Sequence, residues 1–282
     1  MIGLVLALAS ALGYGVSDFV GGLASRRVAA LRVVLVSYPI AMVALAGIAA
    51  VVGGDVSQGA VVWGVLCGVS QAFGVWWFYA ALGSGPISVV SPLTAILVAA
   101  LPVGVGLAQG ERPGVIAAIG VAVALVAVVL VSRETTDEDD VKEHRFTATV
   151  AWLTVGSGVA FGLNFVLIDQ APVEAKLWPL VFARASATVL VVAIAAMSRN
   201  LHPPSGNPLK LAVLAAFLDV GANIAMLLAL QASLLSLAGV LMSLYPAATV
   251  LLAIVVLRER VSRWQAVGMV LALAAVAMIA AG

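Results

Sequence analysis

The chain has 282 residues, of which 63% are hydrophobic and only 10% charged, and its formal net charge is +1. Soluble domains carry about 25% charged residues, so a soluble globular protein is excluded, and with almost no net charge there is no field to gather nucleic acid. Runs free of Asp, Glu, Lys and Arg cover 33–54, 56–110, 113–132, 146–168, 185–198, 220–257 and 264–282.

About 20 apolar residues carry a helix across the hydrocarbon of a bilayer. Backbone polar groups there must bond internally, which leaves helices or closed barrels, and barrel strands alternate where these runs do not. The expected fold is an all-α integral membrane protein. Breaks at Gly, Pro and charge predict ten spans, near 3–22, 30–52, 59–82, 86–108, 113–132, 147–168, 177–197, 209–230, 233–257 and 264–281.

The first span has no basic residues before it and is read as retained rather than cleaved. It carries Tyr14, Ser17 and Asp18. The third holds Cys67, the only cysteine, which permits no internal disulfide and is read as a packing residue. Gln71, Trp76, Trp77 and Tyr79 follow it; Trp76 and Trp77 cannot face the same way, and one is expected to face a cavity. In span four Ser91 precedes Pro92, and in span nine Tyr245 precedes Pro246, each proline removing a backbone donor. Gly64-x-x-x-Gly68, Gly106-x-x-x-Gly110 and Gly158-x-x-x-Gly162 read as close-packing faces.

RETTDEDDVKEHR, residues 133–145, holds six acids and three bases and reads as a solvated linker. It divides the chain into 1–132, a linker over 133–146, and 147–282. The two halves match at an offset of 148. ALGSGPIS (81–88) lies over ALQASLLS (229–236), Glu111-Arg112 over Glu259-Arg260, and IAAIGVAVALVAVV (116–129) over WQAVGMVLALAAVA (264–277). SQAFG lies over LDVGA, which makes Asp219 the counterpart of Gln71. With one gap, YGVSDFV (14–20) lies over FGLNFV (161–166). Five spans per half turn the second copy upside down, so the expectation is two inverted five-helix repeats, the arrangement of alternating-access transporters.

Eleven of the fourteen Lys and Arg fall in the loops after spans one, three, five, seven and nine; only Arg112 and Lys176 fall on the other side, and Arg184 lies within a span. The positive-inside rule puts the linker in the cytoplasm and both termini outside.

Ionisable groups at bilayer depth mark function or pairing. Three qualify. Asp219 lies mid-span and fits two readings: a proton-exchanging or cation-binding carboxylate, or the neutralising partner of Arg184. Arg184 is either part of a site or a structural anchor, and Asp18 is placed where water can reach it. Asp219 and Asp18 are the candidates for proton coupling. Ser17, Gln71, Asn164 and Asn223 occupy related positions in the two halves and are expected either to line a cavity or to bond helices together. With Tyr14, Trp76, Ser91, Arg184, Asp18, Asp219 and Tyr245 they form the expected substrate-binding set. Phosphate-cradling, zinc-protease and nucleophile-elbow motifs are absent, and the two histidines, His144 and His202, fall in loops. No cofactor or metal is expected; the partners are a small-molecule solute and the lipid bilayer.

Gly110-Glu111-Arg112, Arg258-Glu259-Arg260, SGPISVVSPL (84–93), YGVSDFVGG (14–22) and the arginine of VFARASAT (181–188) give the chain a resemblance, over its whole length, to the EamA family of the drug/metabolite transporter superfamily. The resemblance implies solute transport through a central cavity lined by spans one to four and six to nine. Many members carry their basic loops on the opposite side. The function expected is a secondary transporter, not an enzyme, that exports a small metabolite, amino acid or drug-like solute across a bacterial inner membrane, possible proton coupling included. Its rivals are a membrane enzyme acting on lipid-linked substrates, which would need clustered carboxylates or histidines, and a non-transporting scaffold.

Overall fold

The computed structural model describes residues 1–25, 27–82, 84, 87–131, 147–198, 201–257 and 262–281. The charged linker, Gly83, the Gly85 and Pro86 positions of the 84–93 motif, and Arg258-Glu259-Arg260 lie outside the described residues. The helices are α1 (Ile2–Ser25), α2 (Ala30–Val52), α3 (Gln58–Leu82), α4 (Ile87–Ala108), α5 (Val115–Val131), α6 (Ala148–Asp169), α7 (Trp178–Met197), α8 (Asn207–Ala232), α9 (Leu235–Met242), α10 (Tyr245–Leu257) and α11 (Arg263–Ala281), with a short 3₁₀ turn at Val173–Ala175.

Among the described residues ten spans result, because α9 and α10 together make the ninth. The span expected over 233–257 is interrupted just before its proline. Pro246 has no N–H to give the Met242 carbonyl, and the chain breaks at Ser243 and Leu244 before α10 restarts. Span four carries Pro92 and Pro102 without a break.

The packing has the symmetry of an inverted repeat. α1 lies along α8 as α3 lies along α6, while α2 meets α7 and α5 meets α11 across the pseudo-two-fold axis. Individual contacts recur at the sequence offset. A Cβ on Gly15 would meet Ala248 and Thr249, and one on Gly162 would meet Leu97 and Leu101; Leu101 is the counterpart of Thr249. Ser17 Oγ donates to the Ala215 carbonyl at 3.0 Å, and Asn164 Nδ2 donates to the Cys67 carbonyl at 3.3 Å. Cys67 and Ala215 are 148 positions apart.

Small residues bring these helices together because lipid supplies no hydrophobic force between them, so association rests on close packing. Gly64 and Gly68 admit the α7 backbone at Pro179 and Ala183, and Gly158 and Gly162 admit Leu97 and Leu101 of α4. Gly110 is a correction to that pattern. It has open space around it and φ +97, so it serves as a turn rather than a packing face. Gly110 N–H bonds to Leu107 O and Glu111 N–H to Gly106 O, the double bond pattern of a Schellman motif, which asks for a left-handed residue at this position. Apolar side chains face outward, with Trp152, Val189 and Leu273 all more than two-thirds exposed, as a lipid-facing surface requires.

Candidate functional site

Arg184 lies in the second turn of α7 and is 2% exposed, although it is the largest fully buried side chain among the described residues. Its Nη2 donates to Asp219 Oδ2 at 2.5 Å. Asp219 stands near the middle of α8, so the pair ties two antiparallel helices of the second repeat at mid-depth. On the other side the guanidinium carbon lies 4.5 Å from the centroid of the Tyr38 ring, a cation–π contact from α2 of the first repeat. The pair therefore sits on the seam between repeats. Arg184 Nη1 is buried without a hydrogen-bond partner among the described residues.

The backbone around the pair is braced from within its own helices. Thr188 Oγ1 donates to Arg184 O at 2.6 Å, and Asn223 Nδ2 donates to Asp219 O at 2.7 Å. Both are bonds to a carbonyl one turn back, which short polar side chains make readily in an apolar helix. Asn223 is thus a buried brace for Asp219 in this conformation. Desolvating two charges costs several kcal/mol per ion; direct contact and the Tyr38 face offset it.

α1 carries the second acid. Asp18 is exposed. Tyr245, the first residue of α10, lies against α1, where a Cβ on Gly15 would meet its carbonyl. Tyr14, one turn before Asp18, donates its hydroxyl to Met226 Sδ of α8 at 3.3 Å. Direct contacts thus link Tyr14 of α1, Arg184 of α7, Asp219 and Asn223 of α8 and Tyr245 of α10 through their helices, with Asp18 one turn further along α1.

Other expected residues go elsewhere. Ser17 is buried and committed to Ala215, and Asn164 to Cys67, so both act as bonds between helices. Gln71 is half-buried, next to Ser70, whose hydroxyl donates to Ala160 O at 2.7 Å. Trp76 is 46% exposed and belongs to an aromatic group with Phe73 and Trp77. Trp77 lies over Gly156 of α6, where a Cβ would meet its ring. The side chains of Ser91 and Tyr79 lie outside the described residues.

Two residues escape the sequence reading. Tyr38 precedes Pro39 in the span that faces Arg184's span across the pseudo-two-fold, and that symmetry is the signal that could have found it. Glu111, which in the sequence marks the repeat and the Gly110-Glu111-Arg112 motif, accepts through its carboxylate from Leu235 N–H at 2.6 Å and Ser236 N–H at 3.0 Å. Among the described residues no group of three His, Cys, Asp or Glu is placed to hold a metal.

Ten apolar spans among the described residues, arranged as two inverted five-helix repeats, define a multi-pass helical membrane protein. The chain belongs to the EamA-like transporter family, which its residues 1–133 and 148–281 match. It is a multi-pass membrane transporter of the drug/metabolite superfamily. No curated protein matches it in sequence. It is similar in fold to a protein of known crystal structure that is 18% identical, with a TM-score of 0.73 over 98% of this chain and 95% of that one.

Proposed function

We propose that this transporter moves a small polar or amphipathic solute by alternating access, carrying it out of a bacterial cytoplasm without chemical conversion. The observation that supports this most directly is the Arg184–Asp219 pair. An ion pair at bilayer depth, its arginine fully buried and its aspartate half-buried, held by one repeat and covered by Tyr38 of the other, is an expensive arrangement, and a relative movement of the repeats changes its surroundings. Asp219 and Asp18 are the proton-exchanging or cation-binding groups in this reading; Tyr14, Asn223 and Tyr245 shape the space beside them. The eleven-to-two bias of basic residues supports cytoplasmic placement of the linker and an external location for both termini.

Transport in proteoliposomes, with the solute chosen by a thermal-shift screen, tests the reading. Asp219→Asn keeps size and hydrogen bonding but removes charge, and is expected to lower the rate tenfold or more. The deciding protein is the double variant Arg184→Leu/Asp219→Asn, which removes both charges together. Normal transport by that protein refutes a working role for the pair and leaves it as structural glue.

A further inference from the structure

The contact that a buried central pair does not account for lies at the end of the molecule that carries both termini. Glu111 belongs to the first repeat, and the amides it caps, Leu235 and Ser236, open α9 in the second. The first amides of a helix have no partner within it and carry the positive end of its dipole. Here an acid from the opposite repeat supplies the missing cap, and α9 has no side-chain cap of its own at Leu234.

Local sequence builds this contact. Gly110 turns the chain at the end of α4 and brings Glu111 back over the last turn. Gly106, one turn earlier, leaves the space the carboxylate fills, since a Cβ there would collide with Glu111 Oε2. Arg112 does not compete for the acid; its Nη1 donates to the Leu107 and Glu111 carbonyls. At the same end Lys176 Nζ, in the second repeat, donates to the Val52 carbonyl at the close of α2 in the first, at 2.9 Å. An acid on a helix start and a base on a helix end, each reaching across the repeats, have complementary signs.

We propose that Glu111 is an inter-repeat latch that holds the terminus-bearing end closed, with Lys176 as its second point, and that this end opens only when the Glu111 carboxylate leaves the α9 amides. The residue acts on conformation through α9, as a positioning residue, and needs no knowledge of the solute.

The test uses the full-length protein in lipid nanodiscs with Cys67→Ser. One reporter is Ser236→Cys, at a position fully buried beneath the latch. The other is Ala24→Cys, equally buried at the opposite end of α1. Each is exposed to a hydrophilic maleimide, and the labelling rate is read with Glu111 native, with Glu111→Ala, and with Gly106→Ala, which crowds the carboxylate but leaves its charge. The expected result is a tenfold or greater rise at position 236 in both variants with no rise at position 24. Unchanged rates at 236 in folded variants overturn the latch, as does an equal rise at both ends, which would mean general loosening. If Glu111→Ala does not fold, Gly106→Ala and Glu111→Gln are judged by the same criteria. No transport is measured, so the latch and the transport reading can fail separately.

Discussion

Gly120 and Gly268 occupy the same place in the two copies of the repeat. A Cβ on Gly120 would meet Met278 and Ile279, and a Cβ on Gly268 would meet Leu130 and Val131. All three pairs, 120 with 268, 130 with 278 and 131 with 279, are 148 apart. The α5–α11 crossing is therefore one interface written twice, with the second strip of residues running antiparallel to the first.

That reciprocity gives a stability prediction. Gly120→Ala and Gly268→Ala put a carbon about 2.8–2.9 Å from its nearest neighbour, and overpacking of this kind costs roughly 1–3 kcal/mol. Each should lower the melting temperature of the detergent-solubilised protein by a similar amount. Gly68→Ala should be worse, because its Cβ would collide with Ala183 O and Ser186 Oγ. Gly221→Ala, with nothing within 4 Å, should leave the melting temperature unchanged or raise it, since Ala favours helix over Gly by about 1 kcal/mol.

Arg184→Leu alone should destabilise by about 3–5 kcal/mol, because Asp219 is left as a lone charge at bilayer depth. Adding Asp219→Asn should recover most of that loss. Thermal unfolding followed by intrinsic fluorescence measures the cycle; additive losses would contradict coupling between the two residues. Tyr38→Leu should cost less, about 0.5–2 kcal/mol, the range for a cation–π contact.

Pro246→Ala restores the donor that the Met242 carbonyl lacks. The α9–α10 break should then tighten, and hydrogen–deuterium exchange across 243–247 should slow relative to the native protein. Unaltered exchange would mean that the proline follows the break without causing it.

The excess of basic residues on one side predicts how an impermeant maleimide reacts with intact cells. In a Cys67→Ser background, Thr136→Cys in the linker should be shielded and a cysteine appended after Gly282 labelled. The opposite pattern would invert the proposed orientation while leaving the helix packing as described.

Most of the architecture was legible in the sequence, because inside a bilayer a span is a local property: enough consecutive apolar residues must be a helix, whatever its neighbours. Ten spans and the offset of 148 follow from that and from the order of the breaks. Partnership is not local, and only the tertiary structure decides it. It places Tyr38 on Arg184, commits Ser17 and Asn164 to helix–helix bonds, and makes Gly110 a turn where spacing suggested a packing face. The break in span nine falls just before Pro246, but a proline by itself does not foretell a break, since α4 runs unbroken through two. Asp219 and Glu111 show the division most clearly. A carboxylate in an apolar chain announces that it needs a partner, but the partner lies 35 residues away for one and 124 for the other, at a distance in sequence that only packing can close.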